Sequence, residues 1–456
     1  SSMYVKEEYR IMKRTTLEAT DENILNSIKE NTYGRNADVR DFIEALETIE
    51  GNMFISLDAR WGEGKTFYVR QIEKTLEFLT KRTWENEQSN TVEDLKPHFQ
   101  NTVLNSIDLK QSYFPIYYNA WLYDNHNDPL LSLLFTVVKK SEKYLDTKKG
   151  KTVGEKLAGL FSATSVSVGN EFFQLSVNGD NGIKEAFAKT DILDEIKTAE
   201  EIHDTVKEIL DEVINEKAQR LILFIDELDR CRPSYAIEML ERIKHYFDDD
   251  RIIFIVSVNK EQLVHTISNH YGINFDSTGY LNKFFDLNVH MPVMTDKNMG
   301  SFNTYRNEQV HLRQISEELA EYYKLTLRDT LIFKQRMEGL QSSIVNDYTP
   351  QGCCLSLFIP IIAILDIVDE NEKAKFLNGK SDILDQLSQP ITAIHKMISR
   401  FGDRGVENPF DIGFEKIKAV YEYTFKNENW ASYNSLNLDI SHDLKRICIK
   451  LCNGFM

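Results

Sequence analysis

The chain has 456 residues, 42% of them hydrophobic and 27% charged, a globular composition that excludes a disordered or fibrous polypeptide and leaves room for about three domains. With only 20 Gly and 9 Pro, turn-forming residues are scarce, which argues against an all-β sandwich and for helix-rich packing. Acidic residues outnumber basic ones, 71 to 54, for a formal charge of -17; this balance repels phosphate backbones and anionic lipid, so it speaks against nucleic-acid or membrane partners without excluding a local basic groove.

In chain order, residues 3–32 mix charged and apolar positions as a short helical lead-in. Asn31 to Arg35 reads as a loop, and Phe42, Leu46 and Ile49 then fall at helical spacing. Met53 to Leu57 is a short apolar run that stops at a loop containing Gly62 and Gly64, the pattern of a buried parallel strand feeding a turn. Val69, Ile72, Leu76 and Leu79 follow at helical spacing. Further core strands are expected at Phe114 to Asn119, Leu221 to Ile225 and Ile252 to Val258. A helix opened by Pro233 lies between the last two, with Ile237, Leu240, Ile243 and Phe247 on one face. Strands alternating with helices imply an α/β fold, a parallel sheet with helices on both faces.

The region of about 139–200 breaks this rhythm. It is Lys-rich and then small, polar and Gly-containing, and reads as an insertion or a long mobile loop. Beyond Pro292 the pattern is helical, beginning with Leu312, Ile315 and Leu319. The apolar run Leu355 to Leu365 is interrupted by Ser356 and Pro360 and falls short of the ~20 residues of a membrane span, so a buried helix is expected. The opening residues are polar and carry no secretory signal. The five cysteines, Cys231, Cys353, Cys354, Cys448 and Cys452, are odd in number and form no disulfide framework, which points to a reducing, cytoplasmic compartment. Cys448 and Cys452 near His442 suit two small core residues better than a metal, which needs about four ligands.

The segment Ala59–Arg60–Trp61–Gly62–Glu63–Gly64–Lys65–Thr66 sits between an expected strand and an expected helix, the context of a phosphate-binding loop. Gly62 and Gly64 let backbone N–H groups turn toward phosphate oxygens, and the helix that begins near Lys65 adds the positive end of its dipole. Lys65 is placed to meet the β- and γ-phosphates, and Thr66 offers a hydroxyl to Mg²⁺. The first Gly of the usual motif is Ala59 here, a residue not at ease at positive φ.

The run Ile222 to Arg230 is an apolar strand ending in carboxylates. Opposite a phosphate loop, Asp226 would hold Mg²⁺, usually through water, and Glu227 would act as the base for the attacking water. Alone, the same run would read as a buried strand ending in an acidic turn. Asn259, at the end of the next strand, could orient the water or the γ-phosphate, or be an ordinary loop residue. Arg230, Arg232 and Arg328 could each stabilise γ-phosphate charge, in cis or from a neighbouring subunit, or be ordinary ion-paired arginines.

Taken together these motifs resemble the KAP family of P-loop NTPases, in the additional-strand-catalytic-glutamate branch. The matching residues are Tyr33–Gly34–Arg35, the Trp61 to Thr66 loop, Tyr118–Asn119–Ala120–Trp121, Phe224 to Pro233, Leu240 to Lys244, Tyr280 to Phe284, Pro292 and Leu327–Arg328–Asp329. The resemblance covers about residues 30–335. It implies a nucleotide-binding domain at 1–335, carrying the insertion at about 139–200, and leaves 336–456 as an α-helical C-terminal domain. It also implies that the Tyr33–Gly34–Arg35 loop lies near the base, that ATP and Mg²⁺ are bound, and that the setting is anti-phage defence. Two departures stand out: the family typically has Asp-Asp where this chain has Asp226–Glu227, and the membrane helices many members carry between the two nucleotide motifs are missing.

A GTPase is disfavoured, because Asn259–Lys260–Glu261 is followed by Gln262 and no carboxylate is placed to read guanine; the Ser-Gly-Gly-Gln signature of ABC ATPases is absent as well. The expected function is a Mg²⁺-dependent ATPase acting as a switch or assembly protein, as a homo-oligomer or with a partner protein. The alternatives are a nucleotide-binding scaffold with little hydrolysis and an ATP-driven nucleic-acid remodeller. Intact Lys65, Thr66, Asp226 and Glu227 favour the first, and the acidic balance disfavours the last.

Overall fold

The computed structural model describes residues 18–82, 93–125, 128–141, 165–168, 171–174, 199–214, 218–292, 310–339, 348–402, 407–426, 430–436, 438, 440–441 and 443–452. The chain divides into two compact units, with the boundary between Val293 and Met294; this lies upstream of 335, the end expected for the nucleotide-binding domain.

The first unit is built on a five-stranded parallel sheet. Its strands are β1 (Met53–Asp58), β2 (Tyr113–Asn119), β5 (Arg220–Asp226), β6 (Ile252–Val258) and β7 (Leu287–His290), in the order β2-β5-β6-β1-β7. The four apolar runs of the sequence form β1, β2, β5 and β6, of which β2 is an edge strand and the other three are inner strands, and β5 and β6 are buried along their whole length. β7 was not expected. It lies at the sheet edge and is largely exposed, so it carries no apolar run to betray it.

Alternation along the strands sorts the core into two faces. Ile55 and Leu57 of β1, Ile222 and Phe224 of β5, and Ile253 and Ile255 of β6 pack under the helices Asp21–Glu30, Asn36–Leu46 and Lys65–Arg82. Leu221, Leu223 and Ile225, with Phe254 and Val256, face the helices Pro129–Ser141, Ala199–Ile214, Pro233–Tyr246 and Lys260–Tyr271. The unit is therefore an α/β sheet with helices on both faces. In register, Asn119 of β2 pairs with Asp226 of β5, and Asp226 pairs with Ser257 of β6. Paired residues of parallel strands project to the same face, so these three polar side chains form a row beneath the start of the helix Lys65–Arg82.

The region expected to be an insertion or mobile loop contains regular structure where it is described. β3 (Ser165–Val168) and β4 (Glu171–Gln174) form an antiparallel pair, and the helix Ala199–Ile214 closes the segment. Much of the remainder lies outside the described residues.

The second unit is helical among its described residues. At its centre is the helix Pro350–Val368, which accommodates Pro360 and buries Cys354, Leu357, Phe358, Ile361, Ile362 and Ile364. Contrary to the expectation that the Leu355 to Leu365 run falls short of a span, the helix is long and apolar enough to cross a membrane by length and composition; most of it is buried inside this unit, as expected of a buried helix. Gly413 of the helix Pro409–Tyr421 lies against Ile398 of the helix Thr392–Phe401 so closely that a Cβ would stand 1.9 Å from the Ile398 carbonyl oxygen. Cys448 and Cys452 are buried in the helix Leu444–Cys452, His442 lies outside the described residues, and among those described no three or more His, Cys, Asp or Glu side chains are grouped to hold a metal ion.

Candidate nucleotide-binding site

β1 ends at Asp58, and the loop that follows leads directly into the helix Lys65–Arg82. Gly62 (φ 88) and Gly64 (φ 84) are the loop's positive-φ positions, and Ala59 is not among them. The substitution of Ala for the usual first Gly is thereby explained: the position makes no left-handed demand. Ala59 is instead anchored by its N–H to the Val258 carbonyl at 3.1 Å. The Glu63 carboxylate turns back on the loop, accepting the Arg60 N–H at 2.8 Å and its guanidinium at 3.0 Å. Lys65 curls over the loop and donates to the Ala59 carbonyl at 2.7 Å. Burial lowers its ammonium pKa, opposed chiefly by Asp229 and Asp226.

Thr66 Oγ1 donates to Asp226 Oδ2 at 2.7 Å. Asp226 is fully buried, and protein donors meet both of its oxygens. Tyr117 of β2 donates to the same Oδ2 at 3.0 Å, and Oδ1 accepts the Glu227 N–H at 3.0 Å. The Arg70 guanidinium lies over the Tyr117 ring, 4.6 Å from its centroid.

Glu227 has a left-handed backbone, φ 61 and ψ 23, which costs a non-glycine residue of order 1 kcal/mol or more. The turn aims its side chain along the carboxyl ends of the strands. There the carboxylate pairs with Arg230 at 3.0 Å and accepts a hydrogen bond from the Asn119 side chain. Burial raises the Glu227 pKa, the Asp226 charge adds to this, and Arg230 and Asn119 oppose it. Arg230 in turn lies over the ring of Trp121, 5.6 Å from its centroid.

Asp229 ties the phosphate loop to the acidic turn. Its Oδ2 accepts the Trp61 indole N–H at 2.6 Å and the Asn259 backbone N–H at 3.1 Å. The Asn259 side-chain oxygen accepts the Gln262 N–H at 3.2 Å and so caps the helix Lys260–Tyr271. The expected orienting residue thus stands at the strand end with its carbonyl oxygen engaged by the cap.

Tyr33 lies edge-on to Phe67, the neighbour of Thr66, with ring centroids 6.1 Å apart. This brings the Tyr33–Gly34–Arg35 loop beside the start of the phosphate-loop helix. Arg35 is buried and committed to protein contacts: the Pro292 carbonyl at 2.5 Å, Asp38 at 3.6 Å and the ring of Tyr68. Arg232 is ion-paired to Asp124 at 3.2 Å. Arg328 is exposed near the start of the helix Leu327–Gly339 and belongs to the second unit.

A family model described as the KAP family P-loop domain matches residues 22–321, more than half of the chain. The chain belongs to the KAP family of P-loop NTPases. A comparison with curated proteins found no match. KAP membership makes nucleotide binding the expected activity of the first unit. The oxygen donors fit the accompanying Mg²⁺: a hydroxyl and a carboxylate, both hard ligands, meet at 2.7 Å, and the neighbouring Ser257 Oγ is buried without a hydrogen-bond partner among the described residues. Sequence reasoning missed Tyr117 and Ser257, gave Asn119 no role, and offered Asp229 only as an ion-pair partner of Arg230, which pairs with Glu227 instead. Ser257 left a signal, as a polar residue at a fully buried position of the run Ile252–Val258; Tyr117 left none, because its partner lies on another strand.

Proposed function

We propose that this KAP-family protein is a Mg²⁺-dependent ATPase that works as a nucleotide-controlled switch or assembly protein. The observation that carries the reading is the hydrogen bond between Thr66 and Asp226 at 2.7 Å, with Lys65 folded over the loop beside it. Backbone N–H groups of the loop and the helix N-terminus would bind the phosphates, and Lys65 would add a cation at the β/γ position. Thr66 and Asp226 would hold Mg²⁺, which when bound neutralises phosphate charge. Glu227 would take the proton of the attacking water, with Asn119 and Arg230 fixing its carboxylate. β6 lies between β1 and β5, which supports the additional-strand branch. Adenine is preferred over guanine because Gln262 stands where a base-reading carboxylate would be needed. Assembly into a homo-oligomer and a cytoplasmic setting go with this reading, and the link to anti-phage defence rests on the family resemblance alone.

The test is nucleotide binding and phosphate release with the parent chain and Lys65→Ala, with Mg²⁺ and with a chelator in its place. The parent is expected to bind ATP more tightly with Mg²⁺ than with the chelator and to release phosphate only with Mg²⁺, and Lys65→Ala to lose both. Equal Mg²⁺–ATP binding by Lys65→Ala would overturn the site.

A second reading, a nucleotide-binding scaffold with little turnover, draws on one observation. The Glu227 carboxylate is paired with Arg230 and hydrogen-bonded to Asn119, contacts that occupy its oxygens and oppose the rise of its pKa by burial. Phosphate release by the parent separates the two readings.

A further inference from the structure

The row Asn119, Asp226 and Ser257 crosses three adjacent strands in register. The first two members have defined partners. Asn119 bonds to Glu227 and to the backbone N–H of Trp121 at 3.0 Å. Asp226 is held by Thr66, Tyr117 and the Glu227 N–H. Ser257 differs: it is fully buried, and its Oγ has no hydrogen-bond partner among the described residues. Burying a hydroxyl without a partner is costly, and a small apolar residue would fill the space between Val256 and Val258 without that cost. Its alternation places the side chain on the face of Ile253 and Ile255, the face covered by the phosphate-loop helix. The orphaned hydroxyl is therefore beside Asp226, at the end of the sheet where Thr66 arrives.

We propose that Ser257 is a further residue of the divalent-cation site, whose hydroxyl accepts a hydrogen bond from a water of the hydrated Mg²⁺ that Thr66 and Asp226 hold. Mg²⁺ keeps several of its waters when protein-bound, and each needs an acceptor. The Asp226 carboxylate already receives three protein donors, so a neighbouring neutral oxygen supplies the acceptor it lacks. The inference rests on the Mg²⁺–nucleotide reading above and extends it to β6.

The experiment is a Mg²⁺ titration of thermal unfolding for the full chain with a non-hydrolysable ATP analogue, comparing the parent, Ser257→Ala and Ser257→Thr. Without Mg²⁺, Ser257→Ala should melt no lower than the parent, because it removes only an unsatisfied hydroxyl. With the analogue, the Mg²⁺ needed for half of the stabilisation should rise about three- to ten-fold, the worth of one hydrogen bond. Ser257→Thr keeps the hydroxyl and should retain the parent's Mg²⁺ dependence. An unchanged Mg²⁺ midpoint in Ser257→Ala, or an equal loss of stability with and without Mg²⁺, overturns the assignment. A parent chain that the analogue and Mg²⁺ do not stabilise overturns the underlying nucleotide reading instead.

Discussion

Arg230 holds the carboxylate of Glu227 at 3.0 Å, one turn along the same segment. The pair joins the proposed base to the proposed charge-stabilising arginine, so a change in either alters the surroundings of the other. The pH response tests it. Burial and Asp226 raise the Glu227 pKa, and only the ionised form can take a proton. Turnover should therefore fall as pH drops through a value above that of a free glutamate. Asn119 favours the ionised form, so Asn119→Ala should raise the pKa further and move the acid limb of kcat/KM to higher pH. A limb unmoved in Asn119→Ala would show that Glu227 does not set it.

Glu227→Gln keeps the shape of the side chain and removes its basicity. A general base contributes about 10²- to 10⁴-fold, so kcat should fall by that range while nucleotide affinity is retained. Phosphate release in single-turnover conditions reads this directly, and turnover equal to the parent's would promote the scaffold reading.

The two arginines make different predictions. Arg230 belongs to the first unit beside Glu227, whereas Arg328 is exposed on the second. A cis role predicts that Arg230→Ala loses turnover and keeps any ATP-dependent assembly. A trans role for Arg328 predicts that Arg328→Ala loses both, with its defect relieved when it is mixed with Glu227→Gln subunits. Light scattering with and without ATP, alongside turnover, separates these outcomes. A variant of either residue with parental turnover drops that arginine from the site.

The main part of the candidate site was legible because it is local in sequence. Gly62, Gly64, Lys65 and Thr66 stand out by their spacing within one loop, and Asp226 by its place at the end of an apolar strand. What was illegible depends on tertiary register. Tyr117 and Ser257 meet Asp226 only because β2, β5 and β6 pair as they do, and no periodicity in one strand reports its neighbour. The left-handed turn at Glu227 was also hidden, since glutamate carries no signal for positive φ. β7 escaped because an exposed edge strand lacks the apolar run by which the others were found.

Tyr117→Phe removes one of the two donors on Asp226 Oδ2 and leaves Thr66 as the other. Desolvation and the Asp226 charge raise the phenol's pKa, so Tyr117 stays a neutral donor across the working pH range. The change should cost about 1 kcal/mol of stability. If Tyr117 positions Asp226 for Mg²⁺, it should also raise the Mg²⁺ needed for nucleotide binding while leaving metal-free binding unchanged. Equal weakening of both would reduce Tyr117 to a packing role.

Gly413→Ala tests the second unit. Alanine is the better helix former, by about 1 kcal/mol in a helix interior, so propensity alone predicts a more stable protein. Packing predicts the reverse. The new Cβ would stand 1.9 Å from the Ile398 carbonyl oxygen and 2.9 Å from the Gly402 nitrogen. Both are backbone atoms, so no rotamer change can relieve the contact, and the helices Thr392–Phe401 and Pro409–Tyr421 must move apart. Overpacking of this kind costs roughly 1 to 3 kcal/mol, occasionally more. With backbone on both sides, the upper end should apply and exceed the gain in propensity. The net loss of about 1 to 2 kcal/mol should lower Tm by several degrees, at about 2 to 4 °C per kcal/mol for a unit of this size. Calorimetry of parent and variant measures it. A Tm equal to or above the parent's would mean that the two helices do not pack at this separation.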